Sequence, residues 1–148
     1  MKELLELSAL ELGAAIRAGD VSIAEATQTA LDAMAEREPS LNCFITAAGE
    51  GAMARAQALQ AGAKEAESPL YGVPMALKDN ICTRGVKTCC ASRILGDFTP
   101  PYDAAAAERM ADAGVISLGK LNMDEFAMGS TTETSFYGPT RNPWDTSR

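Results

Sequence analysis

The sequence predicts an α/β fold in which a helical N-terminal arm leads into the first part of a mainly parallel mixed sheet. Two observations predict it: helix-start signals open the chain, and from Gly72 onward short buried apolar runs alternate with a helix. We expect one continuous partial domain, with the helical arm and one short strand in residues 1–68 and the start of the α/β core in residues 69–148. Because a parallel sheet with only two clear strands cannot have both of its faces covered, we expect the fold to be truncated.

Two helices of the arm are predicted from their ends. The segments Ser8–Glu11 and Ser22–Glu25 both place a serine three residues before a glutamate, the spacing of a capping box. Gly19 is expected to end the first helix and Pro39 the second. Within the second helix, apolar residues recur at helical spacing, so this helix must pack one narrow stripe against a neighbour. The stripe consists of Ile23, Ala26, Ala30 and Met34.

The arm is expected to finish with a short strand over residues 43–46, an alanine-rich helix over about residues 51–61, and a polar loop over residues 62–68. The core then begins. Residues 73–77 are predicted to form a strand, Asp103 to cap a helix running from Ala104 to Gly114, and residues 115–118 to form a second buried strand. The strand, helix and strand of the core have the spacing of a parallel crossover. Open parallel sheets bind ligands at the carboxyl ends of their strands.

Composition limits the functions that are possible. The 148 residues include 13 basic and 20 acidic side chains, and the resulting net charge of −7 argues against a surface that holds nucleic acid by neutralising phosphates. The four cysteines form no Cys-x-x-Cys pair and the chain has no histidine, so we expect no metal site and reduced thiols in a cytoplasmic protein. The acidic segment 1–6 does not resemble an export signal, and no run reaches the ~20 apolar residues of a membrane span. We therefore expect neither DNA nor a membrane as a partner.

Lys78 is the one residue that the pattern marks for chemistry. Because the chain has no histidine, a base working near neutral pH must be a carboxylate, a thiolate or a deprotonated lysine. Lys78 ends an apolar run, and we expect burial at that strand end to favour its neutral amine. The alternative is a structural lysine that pairs with Asp79 or another acid, and the spacing alone does not decide between the two.

Two motif matches near the second strand are discounted. Residues 114–120 have the glycine and lysine spacing of a phosphate-binding loop, but Leu121 replaces the hydroxyl that binds magnesium, and strand-forming residues fill the loop. Ser117 and Lys120 have the spacing of the penicillin-binding motif. Ser117 lies in a predicted strand and the companion motifs are missing, so this match is attributed to chance.

Two further candidates are assigned structural roles. Asp124 and Glu125 are adjacent, so on a helix they point in different directions and cannot form a facing acid/base pair. A solvated helix turn is expected there. Cys82 lies close behind Lys78, but no base other than that lysine is available to activate it, so a packed, inert thiol is favoured.

Two long motifs carry a resemblance to a known family. The segment Gly72–Ile81 resembles the lysine motif of the amidase signature family. The segments Lys120–Glu133 and Gly138–Asp145 look like one branch of that family, the glutaminase subunits of tRNA-dependent amidotransferases. The resemblance runs through essentially the whole chain. It implies the amidase signature fold and a serine–serine–lysine hydrolase of carboxamides, a glutaminase in this branch.

The resemblance also assigns residues and partners. It makes Lys78 the catalytic base and places Met128, Gly129 and Ser130 in the substrate pocket. It implies glutamine as the ammonia source, partner subunits B and C, and an aminoacyl-tRNA, glutamyl-tRNA(Gln) or aspartyl-tRNA(Asn), held mainly by one of those partners. It implies no cofactor in this chain, because ATP and Mg²⁺ are used by the partner.

One departure from the family is large. The glycine- and serine-rich segment that carries both catalytic serines in the family is absent from residues 1–148, which also hold no Gly-x-Ser-x-Gly elbow. We therefore expect these residues to supply the base without the nucleophile, and to be inactive alone. Two alternatives stay open: a free amidase acting on small amides, and a non-catalytic α/β interaction module in which Lys78 makes a structural ion pair.

Overall fold

The computed structural model describes residues 4–62 and 68–148. Residues 1–3 of the acidic N-terminal segment and residues 63–67 of the predicted polar loop lie outside this description. Within the described residues, the chain forms four α-helices, three strands and two short 3₁₀ turns. The helices are α1 (Ala9–Ala18), α2 (Ile23–Leu41), α3 (Gly49–Ala61) and α4 (Ala105–Asp112); the strands are β1 (Phe44–Ala47), β2 (Pro74–Lys78) and β3 (Ile116–Leu121); the turns are Leu4–Glu6 and Glu125–Ala127.

The start of each arm helix follows from its capping residue. At α1, Ser8 accepts the Glu11 N–H and the Glu11 carboxylate accepts the Ser8 N–H, so the predicted capping box is complete. At α2, Ser22 Oγ accepts the Glu25 N–H at 3.0 Å. Gly19 ends α1 in the left-handed conformation, as predicted.

Pro39 does not end α2, and that prediction was wrong. The helix continues to Leu41 because proline's fixed φ suits a helix and its missing N–H removes only one hydrogen bond near the end. Asn42 is the residue that leaves the helix, in the left-handed conformation with φ 54°. The Glu38 carboxylate then accepts the N–H groups of Cys43 and Phe44, which joins the helix end to the start of β1.

The predicted cap of α4 was also wrong. The N-cap residue is Ala104, whose side chain makes no capping hydrogen bond. Asp103 instead accepts the Arg84 N–H at 2.6 Å and lies 3.6 Å from the Arg84 Nε. A carboxylate that can reach a cation and an amide on another segment gains more than one that caps its own helix.

The three strands form one mixed sheet in the order β1-β3-β2, which confirms the predicted α/β class. Strand β2 pairs with β3 in parallel, whereas β1 pairs with β3 antiparallel. The central strand is therefore β3, and the predicted parallel pair is present. The carboxyl ends of β2 and β3 lie at the same edge of the sheet, where a ligand site is expected.

Helices α2 and α3 pack on this sheet through one apolar core. Its buried residues come from α2, α3 and β3, and Ile116 at its centre is fully buried. The predicted stripe of α2 contributes Ile23 and Ala26, both buried. A second cluster joins Leu12, Ala26 and Val73, so α1 is held against α2 and the start of β2. Over the described ranges, none of the helices combines the length and apolarity needed to cross a bilayer.

Candidate active site

Lys78 is the last residue of β2, at the carboxyl edge of the sheet, as the sequence predicted. Its side chain is exposed, however, so the expected burial was wrong. Leu77, which points to the opposite side of the strand, is the residue that the apolar run buries. β2 is also an edge strand of the described sheet. An apolar run at such an edge therefore covers one side of the strand and leaves Lys78 open on the other.

Asp79 does not serve as a simple surface partner of Lys78, because its side chain is fully buried. Its Oδ2 accepts the N–H groups of Cys89 and Ala91, both at 3.1 Å, and the Cys89 thiol at 3.0 Å. Its main-chain carbonyl accepts the Cys90 N–H at 3.2 Å. These hydrogen bonds hold the segment 89–91 against Asp79, the residue that follows Lys78 in the chain.

The hydrogen bonds to Asp79 compensate for an unfavourable backbone conformation in the segment 89–91. Cys90 and Ala91 both adopt φ 53°, a left-handed conformation that costs a non-glycine residue about 1–3 kcal/mol. Hydrogen bonds to the buried carboxylate of Asp79 offset that cost, because each is made to a charged acceptor. In the part of the chain that the structure describes, Asp79 Oδ1 is buried without a hydrogen-bond partner.

The segment 89–91 connects Lys78 to the loop predicted to bind substrate. The Cys90 carbonyl accepts the Phe126 N–H, and the Ala91 carbonyl accepts the Phe136 N–H, both at 3.0 Å. These bonds hold both ends of residues 126–136. The predicted substrate-binding residues lie within that loop, and all of them are exposed. They are Met128, Gly129 and Ser130.

Asp124 organises the loop from inside: a short 3₁₀ turn follows it at Glu125–Ala127, but the predicted solvation of Asp124 was wrong. Asp124 is buried, and its carboxylate accepts the N–H groups of Thr131, Thr132 and Thr134 at 2.8–3.1 Å, together with the Thr134 hydroxyl at 2.9 Å. These bonds lower the pKa of Asp124 from 3.8 to about 2. A Cβ on Gly129 would lie 2.5 Å from the Asp124 carboxyl carbon, so a larger residue there would displace the carboxylate.

We expect Asp124→Asn to destabilise residues 1–148 at pH 6 and to change stability little at pH 2. The folded pKa of Asp124 is depressed, so its contribution is complete above the unfolded pKa near 3.8 and disappears as the pH falls through about 2. Urea unfolding of both proteins at pH 6, 4, 3 and 2 measures this. Asp20→Asn is the matched control. A stability difference that persisted unchanged at pH 2 would contradict the assignment.

Neither the buried Cys89 thiol nor the half-buried Cys90 thiol is activated by its surroundings. Burial raises the pKa of Cys89 and of Cys90, so both stay protonated near neutral pH. Cys82 is half-buried and its Sγ lies 3.7 Å from the Tyr102 hydroxyl. This packing agrees with the structural role predicted for Cys82.

Sequence reasoning missed Lys120, which is fully buried in β3. The register between β2 and β3 shifts between Met75 and Leu77, which marks a bulge in β3. Gly119 lies there with φ 146°, and a Cβ on it would overlap the Thr46 carbonyl. A bulge resets the alternation of side chains, so Lys120 leaves the apolar face of β3. A lysine after a glycine inside an apolar strand was the available signal.

The structure thus links Lys78, at the end of a parallel strand, to the hydroxyl-rich loop of residues 126–136 through the segment 89–91. Residues 25–148 match the family model described as Amidase, and the chain belongs to this family. A relative from Thermobifida fusca, named as the A subunit of glutamyl-tRNA(Gln) amidotransferase, is 53% identical over 100% of this chain and 30% of its own length. The chain therefore spans about 30% of the length of the curated relatives it matches.

Solved structures agree with the fold. The crystal structure of the A subunit of glutamyl-tRNA(Gln) amidotransferase from Thermotoga maritima superposes with a TM-score of 0.76 at 33% identity, covering 100% of this chain and 30% of that one. A structure from a vestigial complex related to the origins of an s-triazine catabolic enzyme gives a TM-score of 0.88 at 36% identity, covering 96% and 32%. The Thermotoga maritima structure agrees with the family assignment, and it confirms the predicted fold.

Proposed function

We propose that residues 1–148 are the N-terminal portion of the glutaminase subunit of a tRNA-dependent amidotransferase. The observation that carries this is the identity of 53% to a relative named as that component, across the entire chain and including the hydroxyl-rich loop. In this proposal the longer protein hydrolyses glutamine. The ammonia released converts glutamyl-tRNA(Gln) to glutaminyl-tRNA(Gln), aspartyl-tRNA(Asn) to asparaginyl-tRNA(Asn), or both.

Lys78 is the proposed base of the hydrolysis. Its amine accepts a proton, through a bridging serine, from a nucleophilic serine that attacks the side-chain amide carbon of glutamine. Collapse of the tetrahedral intermediate transfers a proton to the leaving nitrogen, breaks the C–N bond, releases ammonia and leaves a glutamyl ester on the serine. Water then hydrolyses this ester. In this proposal both serines belong to the part of the longer protein outside residues 1–148.

The loop held by Asp124 is the proposed wall of the glutamine pocket. Met128, Gly129 and Ser130 are exposed on it, so their backbone and side-chain groups are accessible to a ligand. Its shape is supported by five hydrogen bonds to groups already described, from residues 131–134 to Asp124 and from Phe126 to Cys90. Such support is what a binding loop needs to recognise a small polar substrate.

The remaining assignments follow from the same proposal. Partner subunits B and C complete the complex, and the partner that holds the aminoacyl-tRNA also binds ATP and Mg²⁺. A net charge of −7 on residues 1–148 supports this division, because an acidic chain gains nothing from phosphate contacts. Reduced cysteines and a role in translation support a cytoplasmic location.

A hybrid protein tests the proposal. Residues 1–148 replace the corresponding segment of the Thermobifida fusca relative, and the hybrid is assembled with that organism's partner subunits. We expect ammonia release from glutamine and ATP-dependent amidation of glutamyl-tRNA(Gln). Residues 1–148 alone serve as the inactive control, because they contain no nucleophile elbow. A folded hybrid complex that releases no ammonia, beside an active native complex, would contradict the proposal.

A second candidate is a free amidase acting on small amides. It is favoured by the likeness to solved structures named as amidases: a bacterial aryl acylamidase superposes with a TM-score of 0.84 at 26% identity, and the peptide amidase PAM with 0.83 at 31%. The hybrid without its partner subunits separates the two. Efficient hydrolysis of small carboxamides, with no gain in glutaminase activity when partners are added, would favour the free amidase.

A further inference from the structure

Lys120 is a fully buried lysine that the proposed reaction does not use. Its Nζ donates to the carbonyl of Ile81 and lies 3.0 Å from Thr83 Oγ1 and 3.1 Å from Thr88 Oγ1. All of these acceptors belong to the loop that leaves Lys78. One side chain from the central strand therefore holds three points of the segment that follows the proposed base.

The hydrogen bonds around Nζ determine its protonation state. The Thr83 hydroxyl donates its only proton to the Ile81 carbonyl, and the Thr88 hydroxyl donates its proton to the Val86 carbonyl. Both hydroxyls can therefore only accept from Lys120. Three acceptors surround Nζ, and a neutral amine has just two N–H groups, whereas an ammonium has three. The site is thus built for the charged form of Lys120.

Among the groups around Lys120, Asp79 has the largest influence in favour of the ammonium. Burial lowers the pKa of Lys120, and the charge of Asp79 acts in the opposite direction. Both side chains are fully buried. Asp79 holds residues 89–91, so the two charged groups together fix the loop at both of its ends.

The strand register places the Lys120 side chain on the side of the sheet away from Lys78. Leu77 is paired with Lys120 and Lys78 with Leu121, and paired residues of parallel strands point to the same side. The amine of Lys78 and the ammonium of Lys120 therefore project to opposite sides of adjacent strands. Lys120 cannot exchange a proton with the proposed substrate, but it can fix the backbone that carries the base.

We propose that Lys120 and Asp79 form a buried positioning clamp for Lys78 and for the hydroxyl-rich loop. The Lys120 ammonium holds residues 81–88, and the Asp79 carboxylate holds residues 89–91, whose carbonyls in turn hold the loop of residues 126–136. The clamp positions the base and the substrate loop relative to each other. This inference rests on the proposed function of Lys78 as base.

The test compares Lys120→Met with Lys87→Met in the hybrid complex. Both changes remove one ammonium from a similar side chain, but the half-buried Lys87 lies 5.5 Å from the Tyr137 ring and is not a partner in the hydrogen bonds that define the clamp. We expect Lys120→Met to reduce kcat for glutamine hydrolysis on the order of tenfold to 100-fold, with a smaller change in KM, at temperatures well below the unfolding midpoint. Lys87→Met should leave kcat within about twofold of the parent.

Thr88→Val keeps the proposal testable if Lys120→Met fails to fold. It removes one acceptor of the ammonium while preserving the shape of the side chain, and we expect it to lower kcat several-fold. A variant that loses thermal stability but keeps the parent kcat in its folded state would overturn the positioning role and leave a purely structural lysine.

A separate measurement distinguishes this proposal from the proposed function. Folded hybrid treated with an amine-reactive ester at pH 8 should be acylated at Lys78 and Lys87 but not at Lys120, as measured by mass spectrometry of its peptides. Rapid acylation of Lys120 would overturn the clamp even if the enzyme is active. Conversely, full activity of a Lys78→Ala hybrid would refute the base assignment while leaving the buried ammonium in place.

Discussion

Replacing Lys78 with alanine in the hybrid complex is expected to reduce kcat for glutamine hydrolysis by roughly 10²–10⁴-fold, the contribution of a positioned general base. The reason is chemical: the chain has no histidine, and burial raises the pKa of the Cys89 and Cys90 thiols, so in the proposed function Lys78 is the group that accepts the serine proton. Lys78 is exposed at a strand end, so its removal creates no cavity. Steady-state ammonia release gives the ratio of the two kcat values when the concentration of folded complex is measured independently.

The control for this experiment is Lys87→Ala, which removes a lysine from the neighbouring loop and should keep most of the activity. Activity that survives Lys78→Ala, accompanied by a loss of thermal stability, would indicate the alternative structural role for this lysine.

Replacing Gly119 with alanine is expected to destabilise residues 1–148 by roughly 2–6 kcal/mol, the sum of backbone strain and overpacking. Gly119 has φ 146°, which L side chains rarely adopt, and an added Cβ would overlap the Thr46 carbonyl of β1. The pairing between β1 and β3 or the bulge itself must then change. Because the bulge directs Lys120 into its site, we expect the loop after Lys78 to lose order as well.

Urea unfolding monitored by circular dichroism measures the loss of stability. Gly51→Ala is the control, and it is expected to change the stability in the opposite direction. Gly51 lies in α3, is exposed, and has open space where a Cβ would be added. Alanine there should stabilise the protein by about 0.5–1 kcal/mol through its better helix propensity. Equal effects of the two substitutions would show that the close approach at Gly119 does not limit stability.

Much of the secondary structure could be predicted because its signals are local. The serines that start α1 and α2 bond to residues three positions away, and the apolar run that forms β2 is contiguous. The errors came from residues whose partners are distant in sequence. Asp103 was expected to cap α4, but it contacts Arg84, nineteen residues away, and no periodicity reveals such a partner.

The candidate site shows the same division. The family resemblance selected Lys78 and the residues 128–130 as parts of one motif set, and their catalytic and binding roles stay predictions. It did not reveal that Lys78 would be exposed here or that Asp124 would be buried. The first depends on which elements cover the edge of the sheet, and the second on a loop closing around one carboxylate.

By itself, the sequence determined the family, the α/β class, and the position of Lys78 at the end of a strand, because motifs, caps and apolar runs act over a few residues. Only the tertiary structure decided that Lys120 is buried with three hydrogen-bond acceptors in the loop that follows Lys78. The physical reason is that protonation and hydrogen-bond satisfaction depend on which atoms surround a group. Lys78 and Lys120 are both lysines near the same sheet edge, and their positions on opposite sides of two strands, one exposed and one buried, give them different roles.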